Sequence, residues 1–295
     1  MRICVIFNPV AKGEKAKYFR KFLATIEKDC SLIQTTGAGV ARKLAAKAVR
    51  DGFEAIVAAG GDGTINEVLN GIGDADGFER ACLGILPLGT VNVFARELAI
   101  PRNIEVAWEI IRTGRTTKID LPSASFLANG VSERRYFTQL AGAGLDARAI
   151  ELVHWPLKKK IGPFAYVIAG LRALQARAPE ITISGEDFSV KGKFVLVGNG
   201  KLYGGQFKLF PRADLRDGIL ELCIFPKVNW LTLAWCVPRL LTLGTLPAKA
   251  GQCLRAEKFT LSSEETVPFQ VDGELAGHLP ATFSLEREKL RVLAP

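Results

Sequence analysis

The sequence contains few of the residues that build metal centres and disulfide-stabilised folds. Its 295 residues include two histidines, His154 and His278, and six cysteines, no two of which form a CxxC pair. Zinc sites and disulfide frameworks depend on such residues at short, regular spacings. The sequence therefore disfavours both a zinc-binding protein and a disulfide-stabilised one. Cys4 lies in an apolar run and is predicted to be a small core residue. Scattered cysteines of this kind are typical of a reduced cytosolic protein.

Long uninterrupted hydrophobic runs are also lacking. The apolar N-terminal run at 3–7 is too short for the core of a signal peptide. The longest apolar stretch, at 228–246, is interrupted by Pro238 and Arg239. A membrane-spanning helix needs about 20 mostly apolar residues, so we expect no transmembrane segment.

The overall composition is that of a globular protein with an excess of positive charge. Hydrophobic residues make up 48% of the chain and charged residues 23%, and the formal net charge is +9. The length predicts two domains, since a domain usually has about 100–200 residues. The charge favours an anionic partner, which could be nucleic acid, nucleotide phosphate or an acidic membrane surface.

The first 120 residues alternate between strand and helix patterns. Strands are predicted at 3–7, 31–34, 55–59 and 83–86, and helices at 15–28, 40–51, 66–71 and 93–98. Continuous apolar runs are typical of parallel strands that are buried on both faces. This order predicts a doubly wound parallel α/β domain, with helices on both faces of the sheet.

Beyond residue 120, short β-type runs separated by turn residues dominate. Strands are predicted at 136–140, 194–198, 219–225, 258–262, 266–271 and 282–285, and helices near 163–178 and 230–243. The pattern predicts a C-terminal antiparallel β-sandwich domain with one or two helices. We expect the domains to span 1–120 and 121–285, with 286–295 returning to the first domain as a last strand.

Three loops at predicted strand ends have the composition of phosphate-binding loops. The segment 60–64, with the sequence GGDGT, lies between a strand and a helix. Its glycines let phosphate oxygens approach the backbone, and the N-terminus of the next helix adds positive potential. The second loop contains Gly89, Thr90 and Asn92, and the third runs from Asn8 to Gly13. Ligands of open α/β sheets bind at this carboxyl edge.

Two common nucleotide motifs are missing. The sequence has no GxxxxGK[ST] segment, so it is not a P-loop protein. Gly142-Ala143-Gly144 imitates a dinucleotide fingerprint, but no third glycine follows at the required spacing. A different type of nucleotide site is therefore expected.

In their order and spacing, the motifs resemble the diacylglycerol-kinase-like catalytic domain. This family also includes sphingosine kinases, ceramide kinases and short bacterial lipid kinases. The resemblance is carried by Asn8-Pro9, GGDGTINEVLNG at 60–71, PLGTVN at 87–92, GAGLDA at 142–147, Gly204-Gly205, PRA at 211–213, Asp217-Gly218 and Asp272-Gly273-Glu274. The match runs nearly end to end, so the resemblance implies an ATP- and Mg²⁺-dependent lipid kinase.

The resemblance also implies roles for individual residues. ATP is expected to contact Asn8, Thr36 or its neighbour Thr35, Gly60, Gly61, Asp62, Gly63, Thr64, Asn66 and Thr90. Asp62 is expected near the triphosphate and its Mg²⁺, and Glu274 as the general base. Phosphoryl transfer depends on positioning and charge neutralisation, and a base that accepts the hydroxyl proton typically contributes about 10²–10⁴-fold.

A second, structural Mg²⁺ site is implied at Asp217, with main-chain oxygens of Asp214 and Ile219. Asp120 and Asp272 are expected to belong to an acidic network. From the residues alone, an ordinary turn is the favoured interpretation of both Asp217-Gly218 and Asp272-Gly273-Glu274. Val93 stands where many family members have aspartate, so diacylglycerol, phosphatidylglycerol and sphingoid acceptors all stay open.

Two segments suggest peripheral association with the inner face of the membrane. Lys158, Lys159 and Lys160 lie close to aromatic residues, and an apolar patch is formed by Trp230, Leu231, Leu233, Trp235, Leu240 and Leu241, flanked by Lys227 and Arg239. Basic residues beside aromatic ones suit an anionic lipid surface. A solvated lysine face and a buried core helix are the alternative interpretations.

Three other functions are alternatives to a cytoplasmic lipid kinase. A soluble kinase related to NAD kinase shares the GGDGT scaffold, but the apolar segments of the second domain favour a lipid acceptor. A non-catalytic nucleotide- or lipid-binding protein is disfavoured by Asp62, Thr90 and Glu274. Nucleic-acid binding lacks any recognition motif. A homodimer is possible.

Overall fold

The computed structural model describes residues 1–9, 21–22, 25–145, 147–148, 178–227, 229–247 and 250–295. They form two compact units. The first consists of Met1–Leu121, Gly204–Gln206 and Glu286–Pro295, and the second of Pro122–Tyr203 and Phe207–Leu285. The helices predicted at 15–28 and 163–178 and the lysine cluster at 158–160 lie largely or wholly outside the described residues.

The first unit is built on one six-stranded sheet. Its strands are β1 (Ile3–Phe7), β2 (Ser31–Gln34), β3 (Ala55–Gly60), β4 (Cys82–Pro87), β5 (Thr116–Ile119) and β20 (Leu290–Leu293), in the spatial order β2-β1-β3-β4-β20-β5. All pairs are parallel except β20 with the edge strand β5. Every residue of β1, β3 and β4 is buried, as their continuous apolar runs predict.

The helices of this unit whose bounds the structure describes are α1 (Val40–Arg50), α2 (Asp62–Asp74), α3 (Val93–Glu97) and α4 (Ile104–Thr113). Helix α2 begins four residues before the predicted start at 66, so the prediction of an entire loop at 60–64 was wrong. Gly61 is the extended N-cap, and Asp62 is the first helical residue. A carboxylate in the first turn is stabilised by the helix dipole, which offsets part of the weak helix propensity of Gly63.

Helices α1 and α2 approach closely at Gly71. A Cβ atom at this position would lie 2.2 Å from the main-chain oxygen of Arg42 and 2.7 Å from the Cβ of Ala45. The Arg42 guanidinium also makes two hydrogen bonds to Asp74, of 2.7 and 2.8 Å. Glycine at position 71 therefore permits the crossing that fixes α2 in place.

The second unit is an antiparallel β-sandwich, as predicted. One sheet has the order β10-β9-β16-β19-β6-β7 and the other β15-β14-β11-β8-β17-β18. The first comprises β6 (Pro122–Ala128), β7 (Val131–Tyr136), β9 (Ile181–Ser184), β10 (Ser189–Gly192), β16 (Lys258–Ser262) and β19 (Ala281–Leu285). The second comprises β8 (Leu140–Ala143), β11 (Phe194–Gly198), β14 (Leu220–Phe225), β15 (Gln252–Ala256), β17 (Pro268–Val271) and β18 (Glu274–His278).

Both sheets contribute to one hydrophobic core. Phe259 and Phe283 stack with ring centroids 5.4 Å apart, and Phe269 meets Phe283 edge-on at 5.8 Å. The described part of this unit also contains a short ribbon of β12 (Leu202–Tyr203) and β13 (Phe207–Lys208) and the helix α5 (Trp230–Leu243). The predicted continuous strand at 136–140 was wrong, because β7 ends at Tyr136 and β8 begins at Leu140.

Buried cysteines of the first unit behave as core residues. Cys4 is fully buried, and burial raises the pKa of its thiol to about 11. Burial likewise raises the pKa of Cys82. Both thiols therefore stay protonated at neutral pH and have little nucleophilic character.

Candidate functional site

The carboxyl ends of the first unit's parallel strands bring the predicted phosphate-binding loops together. The main-chain N–H of Asn8, after β1, donates to the oxygen of Ala59 in β3 at 3.0 Å. The Asn8 side-chain Nδ2 also donates to Thr64 Oγ1 at 3.2 Å. The loop that begins at Asn8 and the loop at 60–64 are thus joined by hydrogen bonds at the start of α2.

The turns after β3 and β4 touch backbone to backbone. The N–H groups of Leu88 and Gly89 both donate to the oxygen of Gly60, at 2.9 and 3.1 Å. A Cβ atom at Gly89 would lie 2.6 Å from the Cα of Gly61, and one at Gly60 would lie 2.4 Å from Thr64 Oγ1. Neither separation is possible for a real side chain, so both turns need glycine to adopt this arrangement.

The start of α2 is the part of this edge best suited to an anion. Gly61, Asp62 and Gly63 are half-buried, and the first N–H groups of a helix have no partner within the helix itself. The helix N-terminus adds positive potential. Asp62 Oδ1 accepts a hydrogen bond from the N–H of Phe94 at 3.4 Å, which links this carboxylate to the start of α3.

Asn92 is a candidate that the predicted list of binding residues omitted. It adopts a left-handed conformation with φ of 52°, and only 1% of its surface is exposed. Its Nδ2 donates to the oxygen of Gly89 at 3.1 Å, while Oδ1 has no hydrogen-bond partner within the described part of the chain. A buried acceptor left in this way between the two turns is available to a ligand. The sequence signal for Asn92 as a binding residue is its place at the end of the PLGTVN segment.

The remaining predicted nucleotide contacts differ in their exposure. Thr36 and Thr90 are exposed, whereas Thr35 is buried and its N–H donates to the oxygen of Phe7 at 2.8 Å. Asn66 is buried, and both its main-chain oxygen and its Oδ1 accept hydrogen bonds from Asn70 Nδ2. These hydrogen bonds of Asn66 therefore stabilise the interior of α2.

Glu67 has a structural role that sequence reasoning missed. Its carboxylate accepts hydrogen bonds from the N–H groups of Gly39 and Ala41, at 2.8 and 2.9 Å. These groups lie at the N-terminus of α1, where no side chain of α1 itself provides a cap. The glutamate of the GGDGTINE segment thus caps the neighbouring helix and ties it to the phosphate-binding turn.

In the second unit, Asp272 and Gly273 form a two-residue turn between β17 and β18. Both have positive φ, 48° and 85°, and the flanking residues Val271 and Glu274 are paired. Such turns favour the Asp-Gly sequence. Glu274, the predicted base, is exposed at the first position of β18. The interpretation as a hairpin turn is therefore correct, and it is compatible with a catalytic role for the glutamate that follows.

The Asp272 carboxylate anchors this turn to the segment between β7 and β8. Its oxygens accept hydrogen bonds from the N–H groups of Thr138, Gln139 and Leu140, at 2.8, 2.9 and 3.1 Å. The Thr138 hydroxyl adds a fourth, at 3.1 Å. These N–H groups turn to the carboxylate instead of a strand partner, which explains why the predicted strand at 136–140 is interrupted.

Asp120 has a different partner. Its side chain is fully buried in the first unit and forms an ion pair with Lys289. The acidic network predicted for Asp120 and Asp272 remains a prediction, since the contacts described for Asp120 are with a cation and those for Asp272 with N–H and hydroxyl groups.

The residues predicted to hold a structural Mg²⁺ make contacts with protein groups in the structure. Asp217 Oδ1 accepts the N–H of Ile219 at 3.1 Å, and Oδ2 pairs with the guanidinium of Arg255. The main-chain oxygen of Asp214 accepts the N–H of Asp217 at 3.3 Å. The Arg255 guanidinium thus neutralises the Asp217 carboxylate, and the second Mg²⁺ site at Asp214, Asp217 and Ile219 stays a prediction.

We expect Asp272→Asn to destabilise the second unit by about 2 kcal/mol or more, because hydrogen bonds to a charged acceptor contribute about 1.5–3 kcal/mol each. The amide would also point a donor at backbone donors. Urea unfolding measures the loss. Asp187→Asn, in an exposed turn between β9 and β10, is the matched control and should leave the unfolding midpoint unchanged. Equal midpoints for both variants would contradict the anchoring role.

Because Asp217 is paired with Arg255, we expect the stability of the fold not to depend on Mg²⁺. Without nucleotide, the melting temperature should differ by less than about 2 °C between MgCl₂ and EDTA at equal ionic strength, which corresponds to under about 1 kcal/mol for a chain of this size. Differential scanning calorimetry provides the measurement. A melting temperature several degrees higher in MgCl₂, with no such rise for Asp217→Asn, would instead support a Mg²⁺ site at Asp217.

Two family models together match most of the chain. The model described as diacylglycerol kinase catalytic domain matches residues 2–124. The model described as YegS C-terminal NAD kinase beta sandwich-like domain matches residues 139–294. The second match continues through β20, although this strand is hydrogen-bonded within the sheet of the first unit.

Relatives of known name align over the whole chain. A diacylglycerol kinase of Staphylococcus saprophyticus is 33% identical over 305 residues, covering 100% of this chain and 95% of its own. One from Staphylococcus aureus strain bovine RF122 is 34% identical over 306 residues, covering 100% and 92%. The crystal structure of a diacylglycerol kinase from Bacillus anthracis strain Sterne shares the fold, with a TM-score of 0.77, 24% identity and coverage of 100% and 97%. The chain therefore belongs to the family of the diacylglycerol kinase catalytic domain.

Proposed function

We propose that this protein is an ATP-dependent lipid kinase, which transfers the γ-phosphate of ATP to a hydroxyl group of a membrane lipid such as diacylglycerol. The observation that carries the proposal is the joining of three glycine- and asparagine-containing loops at the start of α2. Their backbone N–H groups and the helix N-terminus suit the phosphates of a nucleotide. Family membership supplies the reaction class.

ATP is proposed to bind at the carboxyl edge of the first sheet, on Asn8, Thr36, Gly60, Gly61, Asp62, Gly63, Thr64, Asn66 and Thr90, with Asn92 as an addition. The contacts of Asn8 with Thr64 and of Gly61 with Gly89 support a preformed loop cluster. A preformed cluster loses little entropy when it binds its ligand. Thr36 and Thr90 are exposed at this edge, so their hydroxyl groups are accessible to ATP.

Mg²⁺ is proposed to accompany ATP. The Asp62 carboxylate and the Asn92 Oδ1 are the oxygen types that this ion prefers, and one or two protein oxygens suffice when phosphates supply the others. When bound, the ion would neutralise charge on the phosphate oxygens. The protein's own contribution here is to hold Asp62 against the N–H of Phe94 at the start of α3.

Glu274 is proposed as the general base. The lipid hydroxyl oxygen forms a bond to the γ-phosphorus, the bond from that phosphorus to the β–γ bridging oxygen breaks, ADP leaves, and the hydroxyl proton passes to the Glu274 carboxylate. Glu274 is exposed and directly follows an anchored two-residue turn, so its carboxylate is accessible and its backbone position is fixed within the second unit. Asp272 acts as a positioning residue, because it fixes the turn that carries Glu274.

The enzyme is proposed to work in the cytoplasm on the inner face of the membrane. The net charge of +9 supports attraction to an anionic leaflet. Within the part of the chain that the structure describes, no helix has both the length and the apolar character needed to cross a bilayer. Val93, which is half-buried, stands where many family members have aspartate. The choice among diacylglycerol, phosphatidylglycerol and sphingoid acceptors therefore stays open.

The proposal predicts transfer of labelled γ-phosphate from ATP to one member of a lipid panel in mixed micelles with Mg²⁺. Glu274→Gln should lower the rate by about 10²-fold or more, because the proton acceptor is lost. Glu265→Gln changes an exposed glutamate on the loop before β17 and should retain the wild-type rate.

Two outcomes would contradict the proposal. Labelling of NAD instead of any lipid would identify a soluble phosphotransferase. Binding of ATP without labelling of any acceptor would indicate a non-catalytic protein. Equal rates for Glu274→Gln and wild type would leave the kinase but exclude Glu274 as its base.

A further inference from the structure

Helix α5 is a well-defined element of the second unit. Asn229 Oδ1 accepts the N–H of Thr232 at 2.9 Å and so caps the N-terminus. Gly244, with φ of 68°, ends the helix, and its N–H donates to the oxygen of Leu240 at 2.9 Å. Pro238 lies inside the helix. Both ends are therefore fixed by specific contacts.

One side of α5 packs on the sandwich. Cys236 is buried, and Leu240 packs against a small core. This core consists of Leu196, Leu209, Phe210, Ala213, Cys223 and Phe225. Leu240 therefore does not belong to an exposed patch, which corrects its place in the apolar patch predicted from the sequence.

The other side of α5 is apolar and exposed. Trp230, Leu231 and Trp235 are 55%, 79% and 51% exposed, and Leu243 is 63% exposed. At 100° per residue, the first three lie within about 140° of the helix circumference, on one face. Four of the nine large exposed apolar side chains in the described chain belong to this helix. Such a concentration marks an interaction surface and not scattered surface residues.

The charge of this helix is of one sign. Residues 230–243 include no acidic residue, and Arg239, which is exposed, carries the only charge. Lys227, also exposed, lies just before the helix. Tryptophan prefers the interface between lipid and water, and helices that lie in this plane combine such residues with basic ones.

We infer that α5 is an interfacial anchor that docks the second unit on an anionic lipid membrane. Trp230, Leu231 and Trp235 enter the boundary between headgroups and acyl chains, and Arg239 and Lys227 contact lipid phosphates. The inference rests on the proposed function, since a kinase with a membrane-lipid acceptor has to work at a membrane surface.

A second copy of this chain is the main alternative occupant. Association of two α5 faces would bring their Arg239 and Lys227 cations together with no carboxylate from the helix to neutralise them. An anionic leaflet supplies the complementary charge, at about 1 kcal/mol for each basic residue near the surface. The charge pattern thus favours the membrane.

Sedimentation with sucrose-loaded vesicles tests the inference without ATP. Wild-type protein should bind vesicles of phosphatidylglycerol and phosphatidylcholine better than vesicles of phosphatidylcholine alone. Trp230→Ser/Trp235→Ser should weaken binding to the anionic vesicles by about tenfold or more, since buried aromatic area is lost. Arg239→Gln should weaken it by about fivefold, through loss of one basic residue. Circular dichroism should show all variants folded.

Leu127→Ser/Val131→Ser is the matched control, since these residues are 65% and 64% exposed on the β6–β7 hairpin. It should bind like wild type. Equal loss in this control would mean non-specific hydrophobic binding, and unchanged binding of the tryptophan variant would overturn the inference. A wild-type dimer in sedimentation equilibrium that the tryptophan variant dissociates would identify a second copy as the occupant instead.

The result is separable from the kinase reaction. If wild type binds vesicles through α5 but labels no lipid, the proposed function fails while the anchor stands. If wild type labels a lipid and the tryptophan variant still binds vesicles normally, the anchor is wrong and the kinase stands.

Discussion

The close approach of Gly61 and Gly89 is the constraint on which the candidate nucleotide site depends. Two strand-end turns can touch backbone to backbone only if neither carries a side chain at the contact, and a Cβ at Gly89 would lie 2.6 Å from the Cα of Gly61. The contact places Asn92 over the junction and brings α3 to Asp62. The first N–H groups of α2 lie at this edge, and they have no partner within the helix and suit phosphate oxygens.

Carboxylates of the family motifs also stabilise the scaffold around the site. Glu67 accepts N–H groups at the start of α1, and Asp272 accepts three successive N–H groups between β7 and β8. Each satisfies buried or terminal donors that would otherwise be costly to leave unpaired. A short motif can thus combine residues that contact ligands with neighbours that hold those residues in place.

Local patterns predicted the central strands of the first sheet, because runs such as 3–7 and 55–59 are apolar throughout and buried on both faces. They did not predict the edge strand β5, which is mostly polar and partly exposed. They did not predict the start of α2, since Gly63 disfavours a helix while Asp62 favours its first turn. The interruption at 137–139 depends on Asp272, which is 134 residues from Thr138 along the chain. No local pattern contains such a partner.

The candidate site, too, could be predicted from the sequence only in part. The glycines, Asp62 and Glu274 followed from motifs and from family resemblance, whereas the buried acceptor of Asn92 depends on its left-handed backbone and on the packing of Gly89. The pairing of Asp217 with Arg255 joins residues 38 positions apart, so no local pattern around Asp217 reveals this partner of the residue expected to bind Mg²⁺.

Titration of wild type and Gly89→Ala with MgATP, by calorimetry, tests most directly whether the touching turns form the nucleotide site. The account predicts that wild type binds MgATP and that Gly89→Ala binds about tenfold more weakly or worse, because forcing a methyl group into a closed contact typically costs 1–3 kcal/mol. Gly37→Ala, with no atom within 4 Å of the added Cβ, controls for the substitution itself. Equal affinity of Gly89→Ala and wild type would place the nucleotide elsewhere and contradict the account.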